Sequence, residues 1–204
     1  MKNSTLLTKF FSESIEFGNR YFTVSGLFFP KDKNVFGKIE IAMLILTVFC
    51  LAVLFKIGDL SFGLGLLFCI LVSQRILEYL IVYSRNFILG RGRVFTHFPD
   101  KDTVGQWLII MFLLNLLQVV LSFAVFYRFL SVHVPGSFSQ NIGFIDSFYI
   151  SMVTFFTLGF GDISPVGQVA KMLISFESFL SFYTFLIVIN GLISIHFTNN
   201  SLKK

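Results

Sequence analysis

Residues 157–162 contain two glycines at alternate positions, a pattern that can bring consecutive backbone carbonyls to one side of the chain. In an ordinary strand successive carbonyls point in opposite directions, and turning them to a common line requires left-handed dihedrals. Glycine adopts these dihedrals at little steric cost, so Gly159 and Gly161 predict a line of carbonyls from residues 157–160, with the Thr157 hydroxyl as a further oxygen. Such a row of oxygens can replace the water shell of a dehydrated cation.

The composition of the chain places this segment in a lipid bilayer. The chain has 204 residues, of which 55% are hydrophobic and 13% are charged, which is too apolar for a soluble domain with one core. Four apolar runs approach the ~20 residues that a helix needs to cross a hydrocarbon core. These runs are residues 39–55, 62–83, 105–130 and 169–197. We therefore predict an all-α membrane protein with four transmembrane helices.

A further apolar stretch, residues 144–156, has a length in the ~10–14 residue range that favours a re-entrant segment. Because it directly precedes the two glycines, we predict a re-entrant pore helix and a filter loop between the third and fourth spans. The predicted parts of the chain are an N-terminal amphipathic segment, a two-helix membrane domain, a basic loop, a pore module and a short tail. Their ranges are 1–38, 39–83, 84–104, 105–197 and 198–204.

Lys and Arg residues in the short loops predict the orientation. Basic residues precede the first span and link the second to the third, while the opposite loops hold few. Cytosolic loops carry this excess, so we expect both termini in the cytosol and residues 135–165 on the outer side of a cell membrane, most simply a bacterial inner membrane. Residues 3–17 have apolar residues at helical spacing, which predicts a helix that lies on the membrane surface or packs against cytosolic loops. We also expect the basic residues there and in the loop to contact anionic lipids.

The residues around the two glycines form a longer recognisable motif. It reads Ser151-Met152-Val153-Thr154-Phe155-Phe156-Thr157-Leu158-Gly159-Phe160-Gly161-Asp162-Ile163-Ser164-Pro165. This motif resembles the pore-loop signature of the potassium channel family, and the resemblance extends over about residues 105–197. It implies a selectivity filter at Thr157, Leu158, Gly159, Phe160 and Gly161, in which the carbonyls of the first four bind K⁺. It also implies that Asp162 steadies the outer mouth.

The single filter segment predicts an assembly of several chains. Irregular backbone at membrane depth is tolerated only where protein buries it or a water-filled cavity meets it. A closed ring of four copies gives each ion enough oxygens, so we predict a homotetramer in contact with membrane lipids. A nucleic-acid partner is not expected, because the basic residues are not clustered in a folded polar domain. A separate regulatory subunit is left open.

The function implied by the resemblance is passive transmembrane conduction of K⁺, with permeant ions and no cofactor. Two alternatives remain open, a poorly selective cation channel and a non-conducting subunit of a membrane transport complex. An enzyme is not predicted, because the sequence has no convergent nucleophile, base or metal constellation and no phosphate-binding glycine loop.

Two departures from the family pattern concern the inner part of the pore. The position before Thr157 is often a second Thr in the family, whereas here it is Phe156, which bears on the lining of the inner cavity. Related inner helices often bend at a mid-helix Gly. The fourth span instead has Ser178 and Ser181 in its middle, and Gly191 is a candidate hinge further along.

Three ionisable residues lie within predicted spans. Arg75 and Glu78 share one face of the second span at i, i+3, and we expect a buried pair or a role in gating. A lone Arg within a span costs ~2.5–3.5 kcal/mol, so a partner is expected. Glu177 lies one to two turns into the fourth span, where it can attract cations, support the filter or bond to a neighbouring helix.

Overall fold

A computed structural model describes residues 13, 35–84 and 101–201, and in this part of the chain it is helical with no strand. The helices are α1 (Val35–Lys56), α2 (Phe62–Tyr83), α3 (Lys101–His133), α4 (Phe144–Phe155) and α5 (Gln168–Ser201). The predicted amphipathic segment at residues 3–17 and most of the predicted basic loop lie outside the described residues. The prediction of an all-helical chain is confirmed for the described part.

Three helices contain a stretch that is long and apolar enough to cross a membrane, so the chain is a multi-pass membrane protein. The three stretches are Phe62–Ile81 in α2, Phe112–His133 in α3 and Gln168–Leu186 in α5. Within the described residues, α1 and α4 contribute shorter apolar stretches, Leu44–Lys56 and Phe144–Phe155.

The predicted spans agree with these helices to different degrees. The predicted second span has the same bounds as α2, and the predicted short helix differs from α4 by a single residue at its end. The predicted third span, residues 105–130, lies within α3, which runs from Lys101 to His133. For the predicted first span, residues 39–55, the described residues show only a shorter apolar stretch inside a longer α1.

Helix α3 is central, because it packs against each of the other four helices. Its sequence is apolar almost all round, as expected for a helix buried on more than one side. One face, with Phe123 and Tyr127, packs into a core shared with α2, α4 and α5. Another face, with Leu121 and Val125, packs against α1 and α2, where Cys50 and Cys69 are small buried core residues.

The short helix α4 begins at a polar turn. Gly143 has extended backbone dihedrals, and its N–H donates to Oδ2 of Asp146 at 2.8 Å. An acidic side chain in the first turn also interacts favourably with the positive end of the helix dipole. Arg128 of α3 donates to the carbonyl of Ile142 just before this turn. The N-terminal end of α4 is therefore tied to α3.

The loop before α4 also pairs with the chain that follows the glycine motif. Phe138 and Pro165 form an isolated antiparallel bridge, and the N–H of Ser139 donates to the carbonyl of Ser164 at 2.9 Å. Gly167 lies so close to this loop that an added Cβ would be 3.1 Å from the Cα of Ser137. These contacts return the chain beside the C-terminal end of α3 before α5 begins.

Candidate functional site

The segment after α4 has positive φ angles at alternate positions. The φ angle is +56° at Thr157, +52° at Gly159 and +76° at Gly161. The glycines were expected to adopt this conformation, but Thr157 was not, because a β-branched residue is rarely found there. A backbone outlier of this kind costs about 1–3 kcal/mol and is most often found at functional sites. Because positive φ angles recur at every second residue, consecutive carbonyl groups can face the same side of the segment.

The amide groups at the start of this segment turn back toward the end of α4. The N–H of Thr157 donates to the carbonyl of Thr154 at 3.0 Å, and that of Leu158 donates to the carbonyl of Val153 at 2.8 Å. The N–H of Gly159 also reaches the Val153 carbonyl, at 3.3 Å. Among the described residues, the carbonyls of residues 157–160 accept no hydrogen bond. Their oxygens are therefore available to a cation.

In a single chain the segment is exposed. The side chains of Leu158 and Phe160 are 59% and 67% exposed, and the residues between and beside them are exposed as well. Irregular backbone is tolerated at membrane depth only where protein buries it or a water-filled cavity meets it.

Tyr149 of α4 contacts the outer half of the segment. Its ring is stacked with that of Phe160 at a centroid distance of 6.4 Å and an interplanar angle of 5°. Partial desolvation, together with a hydrogen bond to Asp162 and the charge of that carboxylate, raises the pKa of Tyr149. The phenol thus stays protonated and donates to Asp162. Residue spacing gave no sign of this contact, because the two residues lie on opposite sides of the chain reversal.

Glu177 lies behind α4 rather than on an exposed face of α5, and it is fully buried. The hydroxyl of Tyr127 in α3 donates to its Oε2 atom, and the Oγ atom of Ser151 in α4 lies 2.5 Å from its Oε1 atom. The same Ser151 Oγ atom lies 2.8 Å from the carbonyl oxygen of Val120. Glu177 therefore joins three helices behind the candidate filter.

Ser181 makes a second link between α5 and α4. Its buried hydroxyl donates to the carbonyl of Phe155, the last residue of α4. The last carbonyls of a helix have no partner within the helix and carry its partial negative charge. Phe156 follows with a 39% exposed side chain whose ring meets that of Phe155 edge to face. Ser181 and Phe156 thus lie at the N-terminal end of the segment.

The remaining predicted residues are not brought to this place by any described contact. Glu78 is buried in α2, and the side chain of Arg75 one turn earlier lies outside the described residues, so their pairing stays a prediction. Gly191 lies within α5, in a part whose surroundings are not described, and its role as a hinge also stays a prediction. In the part of the chain searched, no group of three or more His, Cys, Asp or Glu residues could hold a metal ion.

Comparison with known proteins defines the class of this site. Residues 115–197 match the model of a family described as "Ion channel". The chain is also 40% identical over 70 residues to "Two-pore potassium channel 4" of Arabidopsis thaliana. That alignment covers 34% of this chain and 24% of the relative, so the chain corresponds to a minor part of that protein. No solved structure matches the chain. The two matches confirm the resemblance to the potassium channel family.

Proposed function

We propose that this chain is one subunit of a potassium-selective channel that conducts K⁺ passively through a homotetrameric pore. The observation that carries the proposal is the alternation of positive φ angles at Thr157, Gly159 and Gly161, next to carbonyls that accept no hydrogen bond within the described residues. The Arabidopsis relative is a potassium channel by name, which supports K⁺ as the ion. In this proposal the carbonyls of Thr157, Leu158, Gly159 and Phe160 coordinate K⁺.

The proposed architecture has four membrane spans and one re-entrant helix. Helices α1 and α2 form the two-helix membrane domain, while α3 and α5 flank α4 in the pore module at residues 105–197. Both termini lie in the cytosol, and the loop before α4 faces outward. The C-terminal end of α4 then points its partial negative charge toward the inner end of the filter, which favours cations.

The exposed filter of one chain supports the proposed tetramer. The large apolar side chains along α5, such as Phe179 and Phe182, are 66% and 61% exposed, which fits a helix that meets other chains or lipid. Asp162 and Tyr149 steady the outer mouth of each filter segment. Arg75, Glu78 and Gly191 are assigned to gating by their position alone, and an additional regulatory subunit is compatible with the same arrangement.

The proposal is tested by K⁺ and Na⁺ uptake into liposomes that contain the purified protein. We expect K⁺ uptake to exceed Na⁺ uptake by far and to be lost in Gly159→Ala, because Ala in a left-handed conformation costs about 1–2 kcal/mol. Gly136→Ala is a matched control, since Gly136 has a φ angle of +81° in a loop outside the filter. In a single chain an added Cβ would meet nothing within 4 Å at either glycine.

The outcome also separates the alternatives. Equal uptake of the two ions would indicate a poorly selective cation channel. Assembly without uptake of either ion would indicate a non-conducting subunit. Equal loss in the Gly159→Ala and Gly136→Ala variants would contradict a filter role for Gly159.

A further inference from the structure

Four polar groups behind α4 form one continuous chain of contacts. In order, these are the hydroxyl of Tyr127, the carboxyl of Glu177, the hydroxyl of Ser151 and the carbonyl of Val120. Each of the four residues has a relative exposure of 0%. These residues are therefore shielded from bulk water, and the hydrogen in each direct contact must come from one of the two groups that form it.

The three contacts need three hydrogens. A backbone carbonyl supplies none, and each hydroxyl supplies a single hydrogen. If Glu177 were ionised, Tyr127 and Ser151 would supply two hydrogens for the three contacts. Either the 2.5 Å contact between Ser151 Oγ and Glu177 Oε1 or the 2.8 Å contact between Ser151 Oγ and the Val120 carbonyl would then contain no hydrogen.

A protonated Glu177 satisfies all three contacts at once. The Tyr127 hydroxyl donates to Oε2, the Oε1–H group of Glu177 donates to Ser151 Oγ, and the Ser151 hydroxyl donates to the Val120 carbonyl. Every hydrogen then has an acceptor. Each oxygen donates only a hydrogen that it carries and accepts only through a free lone pair.

Among the described residues, the charged groups on the helices that pack around Glu177 make their contacts elsewhere. Arg128 of α3 donates to the Ile142 carbonyl, and Asp146 of α4 accepts the N–H of Gly143. Lys171, which is on the same helix as Glu177, is exposed. An ionised buried carboxylate without a cation beside it is costly, whereas a neutral acid with its hydrogen bonds made is not.

We propose that Glu177 is held as a neutral carboxylic acid and that it acts as a positioning residue, donating a hydrogen bond to Ser151 that ties α5 and α3 to the pore helix. This inference rests on the proposed channel function, since the pore helix leads directly into the filter. It assigns Glu177 to support of the filter and not to attraction of cations by charge.

Substitutions that keep either the shape or the charge of Glu177 distinguish these two roles. In Glu177→Gln, the amide N–H can donate to Ser151 while the amide oxygen accepts from Tyr127. We therefore expect this variant to keep selective K⁺ uptake. We expect selective K⁺ uptake to fall about tenfold in Glu177→Asp, which has a shorter side chain, and in Glu177→Leu. In both variants a buried polar group would be left unsatisfied. Loss in Glu177→Gln with retention in Glu177→Asp would overturn the proposal.

Infrared spectroscopy tests the charge state without requiring conduction. We expect a carbonyl band of a protonated carboxylic acid at neutral pH that disappears in Glu177→Gln and shifts in Tyr127→Phe, which removes the donor to Oε2. Loss of carboxylate bands instead would show that Glu177 is ionised and would overturn the proposal. If the Glu177 variants do not fold, the shift of the carbonyl band in Tyr127→Phe still tests whether Glu177 is protonated. If the protein does not conduct, the channel proposal fails, and the spectra still decide the state of Glu177.

Discussion

Helix α5 is held differently at two places along its length. At Glu177 and Ser181 it contacts α4, the helix that leads into the proposed filter, through Ser151 and the carbonyl of Phe155. These contacts are buried, and they engage the middle and the end of α4. A displacement of α5 at this level would therefore reach the filter directly.

Further along α5, two described side chains are hydrogen-bonded to side chains of α2 and of the residue that follows it. The hydroxyl of Tyr79 donates to Oγ1 of Thr184 at 2.9 Å, and the hydroxyls of Ser84 and Tyr183 are hydrogen-bonded to each other. Thr184 in turn donates to the carbonyl of Leu180 in its own helix, so the Tyr79 contact continues into the backbone of α5.

We expect the two sets of contacts along α5 to have different roles. The contacts of Glu177 and Ser181 hold α4, the helix that supports the proposed filter, so we expect their loss to change ion selectivity. The contacts with α2 hold the part of α5 beyond the filter, so their loss should change how readily the channel opens while leaving selectivity intact. We therefore expect the two-helix domain to act on the pore through these contacts between α2 and α5.

The largest effect is expected from Ser181→Ala. Removal of this hydroxyl leaves the buried carbonyl of Phe155 without its donor, a loss of about 1–3 kcal/mol, and we expect the K⁺ to Na⁺ permeability ratio to fall about tenfold. Ser178→Ala is the matched control, because the Ser178 hydroxyl donates to the carbonyl of Ile174 within α5. An equal change in both variants would argue against a specific link at Ser181.

A smaller effect is expected from Tyr79→Phe, which removes one hydrogen bond between α2 and α5. Because a buried hydrogen bond contributes about 0.5–1.5 kcal/mol, we expect the open probability in single-channel recordings to change a few-fold. Selectivity should not change. Thr184→Val provides the second arm of a double-mutant cycle, and the two substitutions should be non-additive because their side chains are in contact. Additive effects, or a change in selectivity, would contradict the division between the two levels.

The smallest effect is expected from Tyr149→Phe at the outer mouth. The raised pKa of Tyr149 means that the folded protein holds the phenol proton more tightly than the unfolded chain does. The stabilisation is therefore fully present below the ordinary tyrosine pKa of about 10 and is lost as the pH rises through the raised value. We expect wild-type protein to be more thermostable than the variant at neutral pH and this difference to shrink in strong alkali. A difference that grows with pH would contradict the assigned donor.

The sequence predicted those parts of this account that depend on local pattern. The positive φ angles at Gly159 and Gly161, the bounds of α2 and the short α4 follow from glycine spacing and from the length of apolar runs. The positive φ of Thr157 could not be predicted, because its residue type disfavours that conformation and only the surrounding structure imposes it.

The partners of Glu177 also could not be predicted. The sequence marks Glu177 as an acid within a span, but Tyr127 and Ser151 lie 50 and 26 residues away on other helices. Helical periodicity shows which residues share a face, while the choice of the facing helix depends on how α3, α4 and α5 pack. The same reason explains why Tyr149 was not identified as a partner of Asp162.

The most direct test of the central claim is the reversal potential of the wild-type channel in a planar bilayer with K⁺ on one side and Na⁺ on the other. We expect a large reversal potential whose sign shows that K⁺ carries the current, because the carbonyls of residues 157–160 would coordinate K⁺ in preference to Na⁺. A reversal potential near zero would show that the two ions permeate equally and would contradict a potassium-selective filter.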